Sequence, residues 1–413
     1  MYARPEFRRN RLRRGTVLPQ AIIFGVIVGL GIAALTVDVG LLTSMRSQLQ
    51  RTVDSAALAG ASGVLEMESV DRAQEYASKN EVSHESIPVA NLDVETGMWS
   101  GVTRTFTPTP HDGVNGKLPN SVRVTGTRDG LDVYFARFLG ITETQATRPA
   151  TALVGSGRCV GIWGIEFVTV DGNIVTDSYD SADGGYGPGN IRPNGDVCSC
   201  GDITANGSIS IRGDAMYGEG HNFIPYGNAY EVLGLVDDHS CDFPNPSVDY
   251  EAAAADNDND TIPLTYMDRD PFQGSPYNLY VTGNDHLTLP PGTYYFDSVM
   301  IDGQGYIEVT GPTTMYINGN AILTGGGLVN TTEVAGNLVI YAQGPLVDLS
   351  GNAVFYGAVI APEATVTARG TFNAFGVVLA QALDFDGDTN FHVDEQLAID
   401  LFGGDVVSPV LVE

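Results

Sequence analysis

The residues of this chain best suited to chemistry are its four cysteines and its alternating aspartates. Cys159, Cys198, Cys200 and Cys241 form an even set, which permits two disulfides in an oxidising compartment and three connectivities. Cys198 and Cys200 are two apart. On a strand they face the same way and are poorly placed to bond to each other, so each is expected to pair with one of Cys159 and Cys241. A four-cysteine zinc site is the alternative, although Cys-x-Cys is tighter than zinc spacing usually is. Asp256, Asp258 and Asp260 in DNDND alternate as at the start of a calcium loop. Thr261 stands where such a loop needs glycine, and Met267 where it needs a bidentate glutamate. These three are weak calcium candidates, and calcium is the one cofactor the sequence suggests. Asp384, Asp386 and Asp388 also alternate, and on a shared strand face their repulsion calls for solvent or a cation.

Catalytic patterns do not emerge. The sequence has no Gly-x-Ser-x-Gly, no His-Glu-x-x-His and no phosphate-binding loop, and its six histidines are isolated. From Arg158 onward the basic partners Arg158, Arg192, Arg212, Arg269 and Arg369 are scattered among many acids. No catalytic residue is assigned, and a non-enzymatic protein is expected. The alternative is a polysaccharide-binding or polysaccharide-cleaving β-helix. Three or more carboxylates converging in a groove beside an arginine would favour it.

These residues hang from a chain with a distinctive start. Val17–Val37 carries no formal charge, and as a helix it spans about 31 Å, enough for a bilayer's hydrocarbon core. Beyond Asp38 the pattern turns amphipathic. Leu42, Met45, Leu49, Val53 and Ala56 form a helical stripe, and Arg46, Gln48, Arg51 and Asp54 a polar face. A membrane helix running on into a stalk is expected. Arg4, Arg8, Arg9, Arg11, Arg13 and Arg14 precede the run, which places the N-terminus in the cytoplasm and the rest outside. A retained anchor is favoured over a cleaved signal, whose apolar core would be shorter and followed by a small-x-small site.

Net charge is −29 over 413 residues, and without the first 14 it is −34, which argues against nucleic acid and anionic lipid as partners. Hydrophobic residues are 43%, too many for disorder, and fifty glycines suggest turn-rich β structure. Helix is expected to about Lys79, then strands over 92–106 and 121–126. In NSVRVTG, Val122 and Val124 face one way and Arg123 and Thr125 the other. DVYFARFL, 132–139, has helical spacing with Gly140 as its cap, and Phe135 and Phe138 read as core. TETQATRPATALV reads as a further strand. From Gly155 the composition shifts to Gly, Asn, Asp, Thr and Val. GNAVFYGAVIAPEATV (351–366) aligns with GTFNAFGVVLAQALDF (370–385) at an offset of 19. A β period near 20 with turn glycines signals a β-solenoid, in which stacked coils bury a continuous apolar interior. The expected domains are a basic tail 1–14, membrane helix and stalk 15–65, a small α+β module 66–155, a solenoid 156–402 with an insertion at about 227–285, and a tail 403–413.

Two resemblances add to this. RRG, the apolar run ending AALTVDVGLL, and MRSQLQRTVDSAALAGAS resemble the N-terminal segment of TadG-like proteins of the tight-adherence (Flp) pilus-assembly systems. Asp38, Gln48–Leu49–Gln50, Asp54 and Ser55 carry it, and Phe135–Ile141 resembles a turn found after that helix. The resemblance implies a single-pass protein of a bacterial inner membrane, its bulk periplasmic or extracellular, with pilus-assembly or envelope proteins as partners. Prepilin peptidases cut after a glycine placed like Gly15 and prefer glutamate at the fifth following position. Gln20 stands there, which disfavours processing. Some TadG-like proteins carry a von Willebrand A module with Asp-x-Ser-x-Ser. The nearest string here is Asp177–Ser178–Tyr179–Asp180–Ser181, which does not match. DSYDS, NGDVCSCGDITANGSISIRGDAMYGEG, LPPGTYYFDSVMIDGQGYIEVTGPTTMYINGNAILTG and the final GNAVFYGAVIAP…FHVDE resemble an uncharacterised surface domain of bacterial envelope proteins. That implies a right-handed parallel β-helix and establishes no activity. The expected role of the whole chain is pilus assembly or surface adhesion, with a surface or glycan ligand as a candidate partner.

Overall fold

The computed structural model describes residues 17–412 except 84, 111–117, 133, 141–142, 155–158, 160, 228, 240, 242, 244–245, 265–269, 273–276, 351–353 and 404–408. The basic tail 1–14, Gly15, Arg158, Met267 and Arg269 lie outside the described residues. The fold is one long N-terminal helix followed by a β-rich body built largely of parallel strands.

Helix α1, Val17–Ser62, is continuous, and its first half is long and apolar enough to cross a membrane. Ile22, Phe24, Ile27 and Leu30 are exposed there. The second half does not form a free stalk. Leu49, Val53, Ala56, Ala57 and Ala61 are fully buried against Val122, Val124, Ala150 and Ala152. Burial of a Leu or Val side chain stabilises by about 1.5–3 kcal/mol, so the amphipathic stripe supplies a module core. The helix also stops earlier than its apolar pattern suggests. The Glu68 amide donates to the Gly63 carbonyl at 2.8 Å, Met67 takes φ 60°, and α2 restarts over Ser69–Ser78. Arg72 reaches back to the Ser62 carbonyl at 3.0 Å, satisfying one of the free carbonyls at the end of α1.

The module sheet contains β1 (Leu92–Ser100), β2 (Thr105–Pro108), β3 (Ser121–Asp132), β4 (Glu143–Leu153) and β5 (Val410–Leu411), in the order β5-β4-β3-β1-β2. All its pairs are antiparallel. The run 92–106 thus folds as a hairpin. The predicted alternation in β3 holds: Val122 and Val124 face α1, while Arg123 stands over the Phe106 ring at 4.4 Å. At Gly126 a Cβ would lie 2.6 Å from the Val53 side chain, so only glycine admits the helix this closely. Val410 pairs with Leu153 and Leu411 with Ala152, so part of the tail 403–413 is the module's edge strand. The whole ladder is inserted between β4 and β5.

Every ladder pair among the described strands is parallel, in a 17-stranded and a three-stranded sheet. Asn278 pairs with Ser298 and His286 with Tyr306, each 20 residues on. The 19-residue sequence offset is physical, since a Cβ on Gly376 would sit 1.9 Å from the Gly357 carbonyl oxygen. Inside, Phe355, Phe372 and Phe385 stack at 6.5 and 6.2 Å between ring centres. At one corner Gly370, Gly387, Gly172 and Gly207 follow one another, all at positive φ, each closing on the carbonyl of the one before. A side chain at Gly387, Gly172 or Gly207 would strike backbone, which explains the glycine punctuation.

The coils are not stacked in chain order. Leu383 pairs with Val168, Val168 with Ile203, and Ile203 with Phe223. The chain therefore enters the ladder in its middle at Gly161, climbs to one end at His239, crosses to the other end at Asn278, and returns to the middle at Asp394. The stretch 227–285 is accordingly not a single insertion. Ala229–Val232, Val236–His239 and Asn278–Val281 are ladder strands, and the segment between them is the crossing. Each ladder end makes contacts beyond the ladder. At one, the Gly101 amide of the module donates to the Val232 carbonyl at 2.7 Å. At the other, Asp258 and Asn259 bond the amides and carbonyls of Thr293 and Tyr295, occupying an open strand edge.

Candidate functional site

The cysteines act as crossing pins. Cys159 is bonded to Cys198 and Cys200 to Cys241, with Cα separations of 6.2 and 5.1 Å, and no free cysteine is left for zinc. Cys198 faces out of the ladder beside Trp163, Ile360 and Leu379, and Phe243 of the crossing covers them with Leu401 and Phe402 of α4 (Glu395–Phe402). Asp258 spends its carboxylate on the Thr293 amide at 2.8 Å, Asp256 caps the C-terminal end of α3 (Tyr250–Ala255), and Asp260 sits in the turn beyond. Asp388 accepts from Asn173 at 2.7 Å, and Asp171, across from Asp386, accepts from Asn206 at 2.9 Å. Asp388 and Asp171 are thus each relieved by an asparagine one coil away, while Asp386 is exposed to solvent. Among the described residues no three or more of His, Cys, Asp and Glu gather as a metal site.

Charge is concentrated instead around DSYDS. Asp177 is held by His392 Nδ1 at 2.6 Å and by the Tyr186 hydroxyl at 2.9 Å. Glu395 accepts from Ser178 at 2.7 Å, from Asn194 at 2.8 Å and from Arg192 at 3.0 Å. Arg192 also pairs with Asp180 at 3.1 Å and with Asp183. Three carboxylates do converge beside an arginine, but each is that arginine's own ion-pair partner. Side-chain exposure is 12% for Arg192 and 3% for Glu395, so the cluster is closed by its own charges. Tyr356, Phe375 and His392 stack beside it at 4.5 and 4.6 Å. Arg212, deeply buried, donates to the Leu118 carbonyl of the module while its Nε finds no partner among the described residues. Burial pushes its guanidinium down to about 10, against the pull of Asp177. Burial likewise pushes Asp214 up to about 6, opposed by the Leu235 amide bonded to it. The arrangement can clamp the hairpin 180–194, α4 and the mid-ladder coil together.

The other concentration of polar contacts lies along α1. Asp38, 2% exposed, accepts the backbone amides of Tyr134, Phe135 and Ala136 at 2.9, 2.8 and 2.6 Å. Gln48 accepts the Ser83 amide at 2.9 Å, Gln50 donates to the Pro149 carbonyl at 3.1 Å and to Asp54 at 2.7 Å, and Ser55 accepts from Asn80 at 2.9 Å. Asp38, Gln48, Gln50 and Ser55, all among the residues that carried the sequence resemblance, dock the helix onto its module, and Asp54 holds Gln50 from within the helix. Residues 15–63 match the family model for TadE/G-like Flp pilus assembly, and residues 55–152 match the one for Tad-like Flp pilus assembly. The N-terminal region is thus similar to Tad proteins over residues 15–152. Residues 297–399 match a domain of unknown function, DUF7305, which covers the returning half of the ladder. No curated protein matches the chain. Among solved structures it is similar to the competence-associated pilin ComZ from Thermus thermophilus, at 10% identity and a TM-score of 0.30, over 87% of this chain and 96% of that one.

Sequence reasoning found the Tad residues without their partners. Gln20 lies in the exposed half of α1, while Gly15 is outside the described residues. The reading of Phe135 as core is corrected, since it is 42% exposed with Tyr134 at 64%. The Arg192–Glu395 clamp was missed. Its available signal was that a segment nearly free of Lys and Arg keeps Arg192 and Arg212 beside acid-rich strings.

Proposed function

We propose that this is a non-enzymatic, membrane-anchored envelope protein that serves Tad/Flp pilus assembly or surface adhesion. The observation that carries the reading is the pair of Tad matches over 15–152 on a helix with an exposed apolar half. In this reading α1 crosses the bacterial inner membrane once with the arginine-rich tail inside, and the body lies outside. The parallel ladder is read as a β-solenoid, a reading supported by strand pairing at 20 residues and the glycine column.

A glycan-binding role is the second reading, and one groove favours it. About 520 Å³ lies between the crossing and the ladder, lined by Tyr250, Tyr295, Asn318, Gln343, Asp249 and Glu251. Aromatic rings beside carboxamides and acids suit a neutral saccharide. The test is protease shaving of intact spheroplasts, with cross-linking and capture of the full chain. Outside cleavage and capture of pilus-system subunits are the expected results. Protection of the body from outside protease, or capture of polysaccharide with no pilus subunit, would sink the assembly reading.

A further inference from the structure

The turn after β3 presents two large rings to solvent, Tyr134 at 64% and Phe135 at 42% exposed, on a 3-10 turn Ala136–Leu139 closed by Gly140 at φ 84°. Such exposure is unusual beside a carboxylate as fully committed as that of Asp38, which holds three consecutive amides of this turn. Asp38 is the residue next to the uncharged run Val17–Val37. With a helical rise of about 1.5 Å per residue, the turn is fixed at the level where that run ends. Leu35, Val37 and Val39 of α1 are exposed at the same level, and Arg137 is exposed on the turn itself. Tyrosine and other amphipathic rings favour the boundary between headgroups and acyl chains, where one end is apolar and the other wet. The acidic body makes an attraction through anionic lipid unfavourable, so the contact would be apolar.

We infer that Tyr134–Gly140 is a membrane-surface anchor, with Tyr134 and Phe135 inserted at the headgroup boundary of the leaflet from which α1 emerges, and that Asp38 is the positioning residue that sets their depth. The inference rests on the membrane-spanning reading of α1 and adds a second point of attachment. Two points fix the tilt of the module, and the ladder docked on it, against the membrane.

The test uses the full chain in phosphatidylcholine vesicles with and without brominated acyl chains. A Tyr134→Trp variant adds one fluorophore to Trp99 and Trp163, both buried within the protein. The expected result is loss of most of the added emission to brominated lipid and little loss to aqueous iodide. Asp38→Asn in that background should weaken the bromine quenching, because an amide cannot accept three amides without turning its own N–H toward one. If that variant does not fold, Phe135→Trp gives the second reading of depth. Quenching by iodide instead of bromine overturns the inference. Protection from both also overturns it, and points to a protein neighbour over the turn. Flotation of the wild-type chain with the vesicles separates the two claims. Failure to float sinks the spanning reading as well, whereas flotation of a Tyr134→Trp chain whose added emission is lost to iodide sinks only the anchor.

Discussion

Removing the guanidinium at Arg192 should be among the most damaging single changes in the ladder. Arg192→Ala leaves Glu395, 3% exposed, with only Ser178 and Asn194 as donors, and strips Asp180 of its cation. Breaking a buried pair by deleting one partner typically costs about 3–5 kcal/mol, because the remaining charge stays desolvated. The third partner adds little, since Asp183 is 65% exposed and surface pairs contribute about 0–1 kcal/mol. Two donors still serve Glu395, so the lower part of the range, about 3 kcal/mol, is expected. Urea unfolding of the full chain in detergent, followed through Trp163 of the ladder, reads this loss. Glu395→Gln in the Arg192→Ala background removes the stranded charge while keeping its shape. The double variant should therefore be more stable than Arg192→Ala alone. A loss below about 1 kcal/mol for Arg192→Ala, or additive effects in the double variant, would refute the clamp.

Other perturbations test other parts of the fold. Replacing Cys200 and Cys241 together by serine should cost about 2–4 kcal/mol, since the bond closes a loop 41 residues long; thermal unfolding with and without reductant measures it. Gly126→Val forces a side chain into Val53 and should destabilise the module by about 1–3 kcal/mol, read at Trp99. Asp214 titrates near 6 in the folded chain against about 3.9 when unfolded, so the folded state binds more protons between those values. Its contribution to stability therefore rises as pH falls from 6 towards 4. Asp214→Asn should flatten that part of the stability profile, and unchanged slopes in unfolding at pH 5 and pH 7 would refute it.

Periodicity made the elements legible, and non-local pairing hid their arrangement. The uncharged run, the stripe from Leu42 to Ala56 and the alternation at Val122 and Val124 reflect local geometry, and each appears where its spacing put it. The offset of 19 survives because stacked coils repeat locally. The stalk was misjudged because an amphipathic helix does not name its cover, which comes from β3 and β4 far along the chain. Asp38 looked like a boundary marker, yet its donors are about a hundred residues away. The tail strand has two paired residues, too few to carry a pattern. The clamp joins Arg192 to Glu395 across two halves of the ladder, and no spacing rule links residues 203 positions apart.

The order in which the chain is made gives the mid-ladder entry a further consequence. The coil 161–179 is synthesised well before the surface that pairs with it, 378–394. Until then its open strand edge has no partner from its own chain. A ladder stacked in chain order could zip up as it emerged, whereas this one closes like a clasp once 378–394 has been made. Folding of such high contact order is slow. The interval before closure is the time when the molecule is most exposed to mispairing with its neighbours, and the place where an export chaperone or a slow late step would matter most.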